Sequence, residues 1–128
     1  MTRNEFVQKH IETVLCALVY SEKVRKEGLL ALEDKLDQEK IEERDIFQYG
    51  MRFVVDGINK GMIEKILSNI IGQEKDKYMR ILKNIQKEAV LMIQEGLDPR
   101  SMYAVLNSYT DNKTSQKVDK KLLALADD

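Results

Sequence analysis

Apolar residues at Val7, Ile11, Val14 and Leu18, and again at Leu29, Leu32 and Leu36, step by four or three along the first part of the chain. That spacing holds one side of a helix toward a partner and predicts a long first helix running to Leu36. Thr2-Arg3-Asn4-Glu5 supplies a capping box at its start. Projected at about 100° per residue, Arg25 falls in the middle of the apolar stripe, with Ser21 and Glu22 one turn earlier. The seam therefore carries a polar interruption, and Gly28 follows it directly.

A polar stretch, Asp37 to Arg44, breaks the pattern and predicts the first turn. Asp45 can cap a short second helix with Ile46, Phe47, Phe53, Val54 and Val55 as its core, ended by Asp56-Gly57. Asn59 caps a long third helix, whose stripe reads Ile63, Leu67, Ile70, Tyr78, Ile81, Ile85 and Met92 before Gly96. Unbroken, it would span roughly 50 Å, with Gly72 as a candidate kink. Asp98-Pro99 places a cap and a first-turn proline at the start of a fourth helix. "SYTDNKTSQK" reads as a polar linker, after which Val118, Leu122 and Leu125 form a short last helix.

The expected fold class is all-α: a helical bundle with two long amphipathic helices, a short intervening helix and a C-terminal helix pair. Residues 1–110 are read as the helical domain, and 111–128 as linker and terminal helix. "VVDGINKGMIEKIL" and "IQEGLDPRSMYAVL" share an order of acid, glycine, apolar residue and helix cap. Two ordinary glycine-ended helix turns account for this, as would a duplicated helix-turn-helix unit.

Composition narrows the function. Leu, Ile, Met, Lys and Glu dominate a chain with one proline, which suits helices. A net charge of −1 leaves no basic surplus to displace counterions, so no nucleic-acid partner is expected. The longest wholly apolar run is "VLCALVY", Val14 to Tyr20, too short for a membrane span. No signal peptide is apparent, and polar faces that mix Lys with Glu do not suit a membrane surface. The expectation is a soluble, cytoplasmic protein.

Candidate chemistry is sparse. Cys16, the single cysteine, belongs to the apolar run and reads as a small core residue. His10 is the single histidine, with no identifiable nucleophile partner, and phosphate-binding glycine motifs and metal-ligand spacings are absent. Glu42-Glu43 and Asp127-Asp128 read as solvated charge. No catalytic residue, cofactor or metal is therefore expected, and the protein is read as not an enzyme.

"RKEGLLALEDKL", Arg25 to Leu36, closely resembles the start of the large cytoplasmic loop of the MotA family, the stator subunits of the bacterial flagellar motor. "FVVDGINKGMIEKIL", Phe53 to Leu67, resembles the later part of that loop, in the same order and at a matching separation. The resemblance makes residues 1–110 a MotA-cytoplasmic-loop-like domain. It also implies a partner, the rotor protein FliG or another motor component, and a place at the motor on the inner face of the membrane. In the family an Arg and a Glu eight residues on engage charges of FliG; matched by motif these are Arg25 and Glu33, with Lys23, Lys26 and Asp34 beside them. On a continuous helix they would differ by about 80° and flank one face. An internal ion pair, or an Arg that buries its stem and keeps its head wet, is the plainer account of Arg25.

The family has four membrane spans, and this sequence carries none. Where the third span would follow, the sequence reads "EKDKYMRILKNIQKEAV". The ion-conducting residues and the surface for the companion subunit MotB are thus missing, and only the interaction surface can carry over. The alternative is a structural or self-associating helical protein, a homo-oligomer, supported by the near-heptad spacing of the long third helix.

Overall fold

The computed structural model describes residues 1–38 and 45–126, all of them helix, turn or irregular, in agreement with the all-α expectation. Most of the first turn expected at Asp37 to Arg44 lies outside those residues. So do the acids Glu42-Glu43 and Asp127-Asp128, and the side chain of Leu125. The helices are α1 (Arg3–Glu27), α2 (Ala31–Gln38), α3 (Ile46–Val55), α4 (Lys60–Ile71), α5 (Lys77–Glu95), α6 (Pro99–Asn107) and α7 (Asn112–Ala126).

Short polar side chains start most of them by satisfying first-turn N–H groups that have no intrahelical partner. Thr2 Oγ1 accepts from the Glu5 amide at 3.2 Å and donates to the Glu5 carboxylate at 3.0 Å. Asp45, Asn59 and Asp98 each accept a hydrogen bond of 2.9 Å from the amide three residues on. Asn59→Ala is expected to cost about 1 kcal/mol, read as a lower urea midpoint with an unchanged slope.

Two long helices expected from periodicity are each two shorter ones. The first ends at Gly28, whose N–H bonds Val24 O at 2.8 Å and whose φ of 85° and ψ of 170° leave helical space. α2 then packs on α1 and α3, burying Leu32 and Leu36. The long helix from Asn59 ends at Ile71 and restarts at Lys77. Gly72 itself is right-handed, with φ −61°. Polar caps force the restart: Glu74 Oε2 accepts from the Asp76 amide at 3.1 Å, and Asp76 Oδ1 from the Met79 amide at 2.9 Å. α4 lies against α5, so the 50 Å rod is absent, and the argument for self-association from a continuous seam goes with it.

The stretch read as a linker, 108–117, is a turn over its first few residues and helical from Asn112. Asp111 Oδ1 accepts from the Thr114 amide at 2.8 Å, a cap that the surrounding polar residues disguise. Val118 of α7 joins the common core.

The two similar glycine turns have the same geometry. Ile58 N–H reaches Phe53 O at 3.0 Å and Leu97 N–H reaches Met92 O at 3.1 Å, while Gly57 and Gly96 each bond the carbonyl three residues back at 3.1 Å. Each is the common left-handed helix ending, so ordinary turn chemistry accounts for the similarity. Lys60 and Glu95 form an ion pair that ties the two turns together.

α5 is the centre of the bundle, packed against α1, α3, α4 and α6. Its second half, Ala89 to Ile93, is buried on every side. α3 packs tightly against it at Gly50, where a Cβ would stand 2.8 Å and 2.9 Å from the two Val90 methyls.

Candidate functional site

The corner where α1 turns into α2 gathers the charged residues singled out from the sequence. The seam of α1 is buried as far as Ser21. Beyond Ser21 the helix continues with Arg25, Lys26 and Glu27 all exposed. Arg25 is thus not the buried interruption that the stripe projects. With the helix ended at Glu27, none of the described elements buries position 25, and Arg25 is exposed.

The charges at the corner divide into paired and unpaired. Lys26 Nζ lies 2.8 Å from Glu22 Oε1 and Lys23 Nζ lies 3.1 Å from Glu27 Oε2, both one helical turn apart. The hydrogen bond between them raises the Lys26 ammonium above its usual range and lowers the Glu22 carboxyl below its own. Exposed one-turn pairs like these add little stability. Arg25, Glu33 and Asp34 have no ion pair among the described residues.

Arg25 and Lys26 stand in the last turn of α1, and Glu33 and Asp34 in the first turn of α2. Cations suit a helix C-terminus and anions an N-terminus, so each cluster complements the dipole of its own helix. The plain structural role of these charges is therefore helix termination. It does not require them to meet each other, and the 80° relation expected on a continuous helix does not apply.

Between the two clusters the chain presents Leu29, 37% exposed, and Leu30, 76% exposed. Leu29 was expected in the seam, and the break at Gly28 moves it out. Leu30 belongs to no stripe, so periodicity gives it no role. Its only sequence signal is a second leucine beside Leu29, two residues after Gly28.

The corner is held firmly from below. Lys35 Nζ sits 5.3 Å from the centre of the Tyr20 ring, which meets Phe47 edge-on at 4.9 Å. Arg52 Nη1 lies 2.8 Å from Asp37 Oδ1, joining α3 to the end of α2. Beside the corner a half-open groove of about 550 Å³ is lined by Leu18, Glu22, Arg25, Lys26 and Pro99. Apolar floor and charged rim suit a protein surface better than a reaction centre.

Elsewhere, Cys16 is exposed rather than a core residue, because it lies off the face that carries Val14 and Ala17. It borders a cleft of about 300 Å³ with Lys9, Glu12, Asp45 and Gln86. His10 is fully buried, 3.0 Å from the side-chain oxygen of Asn107. Among the described residues no three His, Cys, Asp or Glu side chains gather as a metal site would need. None of the described helices is long and apolar enough to cross a membrane.

No protein-family model matches the chain. It is 40% identical over 76 residues to Motility protein A of Borreliella burgdorferi, a segment that makes up 59% of this chain. The match covers 27% of that protein, so the chain spans about a quarter of the length of this relative. The likeness is a partial, MotA-like relationship.

Proposed function

We propose that this chain is a non-catalytic interaction module that docks on a flagellar motor component through the α1–α2 corner. The reading rests on one observation above the others. Arg25 on one side of Leu30, and Glu33 and Asp34 on the other, are exposed and without an ion pair among the described residues. The MotA-like relationship supports a motor-related partner, and by resemblance the rotor protein FliG is the first to test. Opposite charges on that partner would steer approach and fix orientation, while Leu30 supplies apolar area at the centre. Lys23 and Lys26 are assigned the rim, since each already has a partner one turn away. The role requires no cofactor, and the module would act at the inner face of the membrane where the motor sits.

Titration of the purified chain against the C-terminal domain of FliG tests this at low and at physiological salt. Saturable binding is expected, weaker by about tenfold at the higher salt. Arg25→Glu with Glu33→Arg should abolish it, and Leu30→Ser should weaken it without changing the salt dependence. Binding that ignores the double charge reversal would sink the proposal. Size measured on the same sample separates docking from the alternative, a self-associating helical protein.

A further inference from the structure

The interior contains a chain of hydrogen bonds that the docking corner does not use. His10 Nε2 lies 3.0 Å from Asn107 Oδ1. Asn107 Nδ2 donates to Tyr103 OH at 3.3 Å and to Ser115 Oγ at 2.9 Å, and the Tyr103 hydroxyl donates to Asp119. Three helices, α1, α6 and α7, are joined through one amide.

The direction of this chain is fixed from its outer end. A carboxylate only accepts, so the hydroxyl proton of Tyr103 points to Asp119. The phenol oxygen then accepts from the Asn107 amide, which turns Oδ1 toward the imidazole. His10 must answer with an Nε2–H, and its other nitrogen holds no proton. That Nδ1 is buried and has no hydrogen-bond partner among the described residues. A second proton would create an N–H there with no acceptor, a costly arrangement away from water.

We propose that this relay is a proton-sensitive latch, which holds α7 on the bundle while His10 is neutral and releases it on mild acidification. α7 is lightly held for its length. Over 15 residues it buries Thr114 and Val118 among the described side chains, whereas the nine residues of α6 bury Met102, Leu106 and Asn107. Undocking α7 breaks the Ser115 bond to Asn107 and the Asp119 bond to Tyr103, which loosens the amide held against the imidazole.

Burial holds His10 below its ordinary value, and the Asn107 hydrogen bond offsets part of the shift. No charged side chain among the described residues bonds the ring. Phe6 stacks on it at 6.1 Å with Tyr78 behind, and Asp119 and Tyr103 are reached only through Asn107. Tyr103 is pushed up by burial and by its bond to Asp119, and Tyr109 by burial and Glu88, so both phenols stay protonated in this window. The exposed Arg3–Asp111 pair, 2.9 Å, straps the start of α7 to α1.

The sign follows from the lowered value. Above about pH 6.5 both docked and undocked states hold a neutral imidazole, and the latch has its full strength. Below it the undocked state takes the proton first, so docking weakens by up to tenfold per pH unit until the docked imidazole also titrates.

Hydrogen exchange of the full chain from pH 7.5 to 5.0, corrected for intrinsic rates, tests the latch while ordinary carboxylates stay ionised. The opening constant of α7 should rise by up to tenfold per unit below about pH 6.5, with α5 unchanged. His10→Gln, which keeps a donor to Asn107 and cannot titrate, should remove that slope. Imidazole ¹⁵N spectra of the wild type need no assignment, since the chain has one histidine. They should show the Nε2–H form and titration below the ordinary value. A flat α7 response, equal loss in α5, the same slope in His10→Gln, or an Nδ1–H form would each overturn the proposal.

Discussion

Gly50→Val is expected to destabilise the protein by about 3 kcal/mol or more, and Gly50→Ala by about 1–2 kcal/mol. An added Cβ at this position meets the Val90 methyls at 2.8 Å and 2.9 Å and Leu67 Cδ1 at 3.1 Å. Val90 is fully buried, and a β-branched side chain in a helix has little freedom to rotate away. The contact must be relieved by moving α3 off α5, which loosens the main seam of the bundle. Alanine would otherwise gain about 1 kcal/mol over glycine inside a helix, so any net loss measures the clash. Urea denaturation of the three proteins gives the answer. A stabilised Gly50→Ala would mean that the two helices can separate at no cost.

Gly28→Ala is expected to cost about 1–3 kcal/mol, for a different reason. Nothing lies within 4 Å of the missing Cβ, so space is not the issue. The backbone angles of φ 85° and ψ 170° belong to a region that residues with a Cβ avoid. The variant either keeps the corner under strain or lets α1 run on toward α2. The second outcome would carry Glu33 away from its place and undo the burial of Leu32 and Leu36. Thermal melts and the FliG titration together distinguish them. Lower stability with retained binding means a strained corner, and lost binding with undiminished helix content means a straightened one.

These two glycines mark how far the sequence could be read. Helix starts were legible because a cap is a local signal, as at Thr2, Asp45, Asn59 and Asp98. The two breaks inside the long stripes were not, because the apolar pattern resumes in phase beyond each one. Leu29 and Leu32 continue the spacing of Leu18, so nothing in the pattern shows that the chain has turned at Gly28. Tyr78 and Ile81 likewise disguise the restart at Asp76.

The charges of the corner were legible through the family motif, and their exposure was not, since it depends on where α1 stops. Leu30 gave no periodic signal at all. Asn107 stands 97 residues from His10, so no local reading could join them.

The central place of α5 also bears on how the protein is made. α5 is the fifth of the seven described helices and the wall against which both α1 and α3 close. A chain emerging amino end first therefore shows the apolar faces of its early helices before the residues that cover them exist. At roughly 5–20 residues per second, translating the 19 residues of α5 takes about 1–4 s. The exposure ends only after that interval, and until then a holding chaperone has apolar surface to protect.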